Sequence, residues 1–384
     1  MSHFLNEEQE LMRKNIREFV ETEVKPKAMV IDKTGEFPLD LFKRAGELGL
    51  IGICVSEEYG GLGQQVSMEN VVMEEVAKEL PALAVVIDAH LLGMRALENY
   101  GTEEQKQKYL PRAATGETVL ALNWTESAGS TNYPEFTSMG KWDGDDLVLD
   151  CTKIFITNSH VADVNVVQGM VDRKMEVALV EKGTPGLETG DIYHKLGLHG
   201  SYTGTVRFNN VRVTKDKIMA VKPGLSPARE TLCFLNMAAI ALGISEGAFE
   251  KTKQYVLTRT RFGKPLGSFQ VVANHIAKMA TKIELMRSLT YDAARHFEDG
   301  RHDIMLTFMA KAYSSEECIK ITNQCIQLHG GVGYTEDTGI ARYMRDAKVT
   351  TIGELPTDIH YDFIAMLQGM PIKTTVFPYS KDIC

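Results

Sequence analysis

Gln327-Leu328-His329-Gly330-Gly331-Val332-Gly333-Tyr334-Thr335-Glu336 closes a long helical pattern, and Tyr343-Met344-Arg345-Asp346-Ala347-Lys348 and Ile352-Gly353-Glu354 follow it. How this stretch is read decides the fold. Gly331-Val332-Gly333 imitates the start of a dinucleotide fingerprint, which needs a third glycine at position 336, after a strand and opening a helix. Position 336 is Glu and the preceding segment is helical, so that reading fails. Glycines at a helix end let backbone approach another molecule closely, because no Cβ intervenes. Glu354 then stands out as a lone carboxylate beside Gly353.

Upstream, the helical pattern belongs to a run of long apolar-periodic segments at 227–258, 269–298 and 303–328, the scale of an antiparallel four-helix bundle. Before it the pattern differs. Leu120–Trp124, Ile154–Thr157, Val164–Val167, Val177–Val180 and Val206–Val213 are strand-like, and Asp143-Gly144 signals a hairpin. Such spacing predicts a small β-barrel or sandwich. The first part of the chain is helical again, with Asn6 as a cap and Thr102 with Gln105 as a capping box for a helix ending near Pro111. The expected architecture is α+β: an N-terminal helical domain (1–115), a middle β-domain (116–222) and a C-terminal helical bundle (223–384). A chain of 384 residues is long enough for two or three such domains.

Composition excludes several classes. A net charge of −9 argues against a nucleic-acid binder. No apolar run approaches the roughly 20 residues of a membrane span, and the first residues lack the basic and apolar regions of a signal peptide. The six cysteines (54, 151, 233, 318, 325, 384) show no metal-type spacing and suit a reducing compartment. The expectation is a cytoplasmic protein without a structural metal.

Several motifs converge on one family. Thr125-Glu126-Ser127-Ala128-Gly129-Ser130 resembles the Thr-Glu-Pro-Gly-Ala-Gly-Ser motif of acyl-CoA dehydrogenases, one residue shorter and with Ser127 for proline. Lys153-Ile154-Phe155-Ile156-Thr157-Asn158 resembles the family's Lys-x-Trp-Ile-Thr-Asn strand, with Phe155 for tryptophan. Lys195-Leu196-Gly197, Ser201, Thr203, Phe208 and Val211-Arg212-Val213 match the end of its β-domain. Arg259-Thr260-Arg261-Phe262-Gly263-Lys264-Pro265-Leu266 with Phe269-Gln270 looks like its Arg-x-x-Phe-Gly-x-Pro-Leu signature. Gln327, Gly330-Gly331, Gly333-Tyr334 and Arg345–Lys348 complete a resemblance that spans the chain in order.

The resemblance implies an FAD-dependent enzyme that oxidises acyl-CoA to 2-enoyl-CoA. A carboxylate removes the α-proton while the β-hydrogen leaves as hydride to flavin N5, and electrons pass to an electron-transfer flavoprotein. Thr125, Gly129, Ser130, Phe155 and Thr157 match flavin contacts. Arg259, Phe262, Gln270, Gln327 and Gly331 match positions that hold the FAD adenylate of a neighbouring subunit, which implies a homotetramer. An arginine fork suits the pyrophosphate charge. The family's common base position falls on Glu354, and Ser130 and Gly353 fall on the substrate side. A desolvated slot raises the pKa of such a base toward the working pH.

Two departures qualify the resemblance. Most members read Tyr-Glu-Gly-Thr where this chain reads Gly353-Glu354-Leu355-Pro356. Pro356 fixes φ and Leu355 replaces a permissive glycine, so a different local backbone is expected, with room to swing Glu354 away from the substrate. The alternative base position of some relatives lies near Cys233, where no carboxylate stands and Glu230 is a turn away. The common Asp-x-x-Arg of that helix reads Thr231-x-x-Phe234. Asp88, in the otherwise apolar run Leu83–Leu92 apart from His90, counts back from Tyr100-Gly101-Thr102 to the far part of the acyl pocket. A buried carboxylate there must be paired, protonated or functional. It is a rival base, or an acyl selector, suited to a cyclic or unsaturated acyl-CoA. Enoyl-CoA reduction, redox-neutral elimination and a non-catalytic flavin-bearing scaffold are the competing readings.

Overall fold

The computed structural model describes residues 4–131, 135–219, 221, 232–301 and 303–372. Glu230, Thr231, Cys384 and the start of the helix expected at 227 lie outside the described residues. The N-terminal helices are α1 (Glu7–Phe19), α2 (Lys25–Thr34), α3 (Leu39–Glu47), α4 (Val66–Glu79), α5 (Pro81–Tyr100) and α6 (Glu103–Ala114). Asn6 and Thr102 both close capping boxes, with Gln9 and Gln105 as the reciprocal partners. Helix α6 runs past Pro111 to Ala114 rather than ending at it. A proline this close to the last turn removes one N–H without displacing a long helical segment.

The middle segment forms two four-stranded sheets. One has the order β1 (Leu120–Asn123), β4 (Val164–Val171), β5 (Lys174–Glu181), β8 (Ile218–Met219). The other has the order β2 (Gly140–Asp143), β3 (Asp146–Thr157), β7 (Thr203–Val213), β6 (Leu187–Ile192). Asp143 pairs with Asp146 across the Gly144 turn, as the hairpin signal predicts. Residues facing inward from both sheets, among them Leu147, Leu149, Val167, Val206 and Phe208, make a core of their own.

Helices α7 (Leu232–Thr258), α8 (Gln270–Glu298) and α9 (Ile304–His329) are the long members of the C-terminal bundle, with a short hairpin of β9 (Thr260–Arg261) and β10 (Lys264–Pro265) after α7. The shorter α10 (Ile340–Ala347) and α11 (Thr357–Leu367) complete it. Apolar residues of the N-terminal helices and of the bundle belong to one continuous core. Helix α7 touches α4 so closely that a Cβ on Gly243 would stand 2.2 Å from the Glu74 carbonyl oxygen, and one on Gly247 2.1 Å from that of Lys78. An 18-residue window of α7 has a mean hydropathy of 1.6, enough for a membrane span by length and composition, although the sequence reading found no such run. That window is 94% buried within the protein, the requirement of a central bundle helix.

Candidate active site

The site begins on β3. The ladder between β3 and β7 shifts register between Lys153 and Ile156, and Phe155 adopts φ +55°. This bulge leaves the Phe155 ring 64% exposed, tilted against Tyr193 at 4.9 Å. Neighbours hold the bulge from beneath. The fully buried Lys153 donates to the Trp124 carbonyl at 3.0 Å and to Glu126 Oε2 at 3.3 Å. Asn158 donates to the carbonyls of Val86 on α5 (3.0 Å) and Leu120 on β1 (3.2 Å). The Trp124 indole N–H donates to the Ser130 carbonyl at 3.0 Å. Glu126 and Gly129 exchange backbone hydrogen bonds, and Gly129, at φ +115°, has open space where a Cβ would stand.

Thr125, Ser130, Phe155 and Thr157 thereby line one cavity of about 530 Å³, together with Asp88, Cys233, Gly353 and Glu354. An exposed aromatic ring with hydroxyls and backbone at its edge fits a flat, apolar ring system whose rim makes hydrogen bonds. The residues present therefore fit the isoalloxazine of FAD.

The Gly353–Pro356 turn also contributes to the cavity wall, through Gly353, Glu354 and Leu355. Glu354 and Leu355 both lie in the left-handed region, at φ +51° and +69°. Each such residue costs roughly 1–3 kcal/mol unless its surroundings over-determine it. Here two side chains grip the turn by its carbonyls. His360 donates Nε2–H to Glu354 O at 3.0 Å, and Lys311 donates to Leu355 O at 2.5 Å. Glu354 is not swung away from the cavity: it is one of the residues that line it. The Cys233 thiol hydrogen-bonds its carboxylate. Burial raises the pKa of Glu354, while Cys233, Lys311 and Arg95 pull it back down.

Asp88 is 2% exposed on α5 and lines the same cavity. Burial, then the charge of Glu354, push it up to about 8. Asn236 on α7 donates to Asp88 Oδ1 at 2.8 Å and to Glu69 Oε1 at 2.6 Å, while Arg95 pairs with Glu69. The two carboxylates interact, so their titrations belong to the pair. Burial and the Glu354 charge favour the protonated form of Asp88 at neutral pH.

The adenylate candidates stand elsewhere. Arg259, Phe262, Gln270, Gln327 and Gly331 are exposed, and none lines the cavity. The Tyr255 ring stacks on His329 at 4.3 Å, tying the end of α7 to the end of α9 and so the hairpin to the glycine turn. Phe262 is 93% exposed at φ +51°. The sequence reading missed Lys311, Asn236 and Arg95 and gave Cys233 no role of its own. A lone polar residue inside an apolar run, as in Leu235-Asn236-Met237 and Ala310-Lys311-Ala312, is the signal that marks the first two.

Models of the acyl-CoA dehydrogenase N-terminal, middle and C-terminal domains match residues 6–117, 121–211 and 234–368. The chain belongs to the acyl-CoA dehydrogenase family, FAD-dependent oxidoreductases acting on CH–CH bonds. It is 38% identical to a short-chain specific acyl-CoA dehydrogenase of Clostridium acetobutylicum, over 94% of this chain and 97% of the relative. An acryloyl-CoA reductase (NADH) of Anaerotignum propionicum is 36% identical (95% of each chain). A cyclohex-1-ene-1-carbonyl-CoA dehydrogenase of Geobacter metallireducens is 34% identical (92% and 95%). Among solved structures, butyryl-CoA dehydrogenase of Megasphaera elsdenii superposes with a TM-score of 0.91 at 30% identity (96% and 100%). A chain from work on the electron transferring flavoprotein of Acidaminococcus fermentans does so at 0.90 and 33% (96% and 99%).

Proposed function

We propose that the protein dehydrogenates an acyl-CoA between its α and β carbons, with Glu354 as the base, and passes the electrons to an electron-transfer flavoprotein. The observation that carries this reading is the position of Glu354, which lines the same cavity as Phe155 and lies next to Lys311, Cys233 and Arg95, which favour its charged form. Bound FAD, held by Thr125, Gly129, Ser130, Phe155 and Thr157, supplies the acceptor for the hydride that leaves the β-carbon. Glu354 takes the α-proton onto its carboxylate. The cavity wall of Leu122, Phe234, Met237 and Val349 excludes water and keeps that carboxylate basic enough for the transfer. Ser130 and Gly353 flank the reacting part of the acyl group. The exposed set Arg259, Phe262, Gln270, Gln327 and Gly331 would hold the adenylate of a neighbouring subunit's FAD in a homotetramer.

Asp88 favours a second reading, in which the acyl group is cyclic or already unsaturated and Asp88 takes a proton from a carbon remote from the thioester. The likeness to a cyclohex-1-ene-1-carbonyl-CoA dehydrogenase supports it. The acryloyl-CoA reductase among the relatives supports a reductive direction on the same scaffold. Bleaching of the bound flavin by straight, branched, dicarboxylic and cyclic acyl-CoA separates the readings when repeated with Glu354→Gln and Asp88→Asn. The leading reading requires Glu354→Gln to slow bleaching roughly 10²–10⁴-fold, the scale of a lost general base. A dead Asp88→Asn beside an active Glu354→Gln reverses the assignment.

A further inference from the structure

Lys311 is fully buried in α9, its ammonium beneath the Gly353–Pro356 turn, and no step of the dehydrogenation uses it. An ion in such a place is retained only where it has a partner. Its partners are the Leu355 carbonyl, 2.5 Å away, and the charge of Glu354. Glu354 in the turn, Cys233 from α7 and His360 from α11 interact with Lys311, and Asp88 and Arg95 from α5 interact with Glu354.

These neighbours do not treat the two carboxylates alike. Arg95 acts on both. On Asp88 the Asn236 amide favours a charge and Glu69 opposes one, whereas Lys311 and the Cys233 thiol both favour a charge on Glu354. His360 cannot substitute for Lys311: burial, with Lys311 second, pushes its ring down to about 3, so it is neutral and contributes only its N–H. Burial lowers Lys311 itself to about 8, which leaves it an ammonium at neutral pH.

We infer that Lys311 is a positioning residue of the catalytic turn, holding the Leu355 carbonyl and keeping the negative charge of the carboxylate pair on Glu354, with the proton on Asp88. This rests on Glu354 being the base. It gives the departure from the usual glycine and threonine a physical counterpart: a leucine in the left-handed region is tolerated because a buried cation grips its carbonyl.

The test uses the full-length, FAD-loaded protein with Lys311→Gln, which keeps an N–H donor without charge, and Lys311→Met, which keeps neither. The rate of flavin bleaching by a saturating acyl-CoA is followed against pH. Removing a nearby opposite charge should move the acid limb up by roughly one to two pH units in both variants. Lys311→Met should also lower the plateau, because the turn is no longer held. A limb that stays at its wild-type position in Lys311→Gln overturns the inference, whatever happens to the plateau. Infrared difference spectra of the wild type need no lysine variant to fold. A protonated-carboxyl band at neutral pH that vanishes in Asp88→Asn and survives in Glu354→Gln supports the inference, and the opposite pattern sinks it. An unmoved limb with an inert Glu354→Gln defeats only the role of Lys311. A fully active Glu354→Gln defeats the reading beneath it as well.

Discussion

Asn236 bridges two buried carboxylates: one Nδ2 lies 2.6 Å from Glu69 Oε1 and 2.8 Å from Asp88 Oδ1. Its own Oδ1 accepts from Asn70 Nδ2 at 3.1 Å. One side chain thus ties α7 to α4 and α5 beside Asp88, which lines the cavity. A hydrogen bond to a charged group such as Glu69, ion-paired with Arg95, contributes about 1.5–3 kcal/mol, one to a neutral carboxyl about 0.5–1.5 kcal/mol, and a buried partner left alone costs about 1–3 kcal/mol. Asn236→Leu, similar in volume, should therefore lower the unfolding free energy by about 3 kcal/mol. Chemical denaturation measures this, and a loss below about 1 kcal/mol would count against the bridge.

Asp88 makes stability fall with rising pH. Its folded pKa, about 8, lies above the ordinary 3.8. Below pH 4 both folded and unfolded states hold the proton. Between about 4 and 8 only the folded state does, so the unfolded state releases it and gains relative stability as pH climbs. Asp88→Asn should flatten that decline, so the gap between variant and wild type widens in the variant's favour up to about pH 8. Melting curves from pH 5 to 9 test the slope. A parallel offset would show that Asp88 is already ionised in the fold.

His90 acts in the opposite window. Its Nδ1 accepts the Leu120 N–H at 2.9 Å and its Nε2–H donates to Ala113 O at 3.1 Å, an arrangement that needs the neutral ring. Burial lowers its pKa to about 4 from 6.5. As pH falls from about 6.5 to 4 the unfolded state takes a proton that the folded state refuses, and stability drops. His90→Gln should start lower at neutral pH and lose less on acidification. Equal acid sensitivity in both proteins would assign the effect to other groups.

Phe155 should carry flavin affinity rather than fold stability. Its ring is exposed, so truncation removes little core packing. Stacked aromatic contacts are worth about 0.5–1.5 kcal/mol beyond their buried area. Phe155→Ala is expected to weaken FAD retention roughly tenfold, read as the flavin-to-protein ratio after dialysis, with an apoprotein melting temperature close to wild type.

The local signals in the sequence held wherever short-range chemistry decides the outcome. Asn6 with Gln9, Thr102 with Gln105, and the Asp143-Gly144 turn each satisfy their own backbone within a few residues, so their geometry follows from spacing. The α, β, α order follows from periodicity for the same reason. Asp88 was conspicuous because a carboxylate in an apolar helix has few permitted explanations. Glu354 was found by its place in a motif, but the effect of Leu355 and Pro356 was not readable. Two left-handed residues cost enough to displace the turn unless something distant holds it. Lys311 and His360 supply that hold from 44 and 6 residues away from the carbonyls they grip, on helices whose packing no local pattern encodes. The sequence by itself determined the elements, their order and the chemistry available. Only the tertiary structure decided which carboxylate faces which cation, because Coulomb interactions depend on distance and burial and not on chain position.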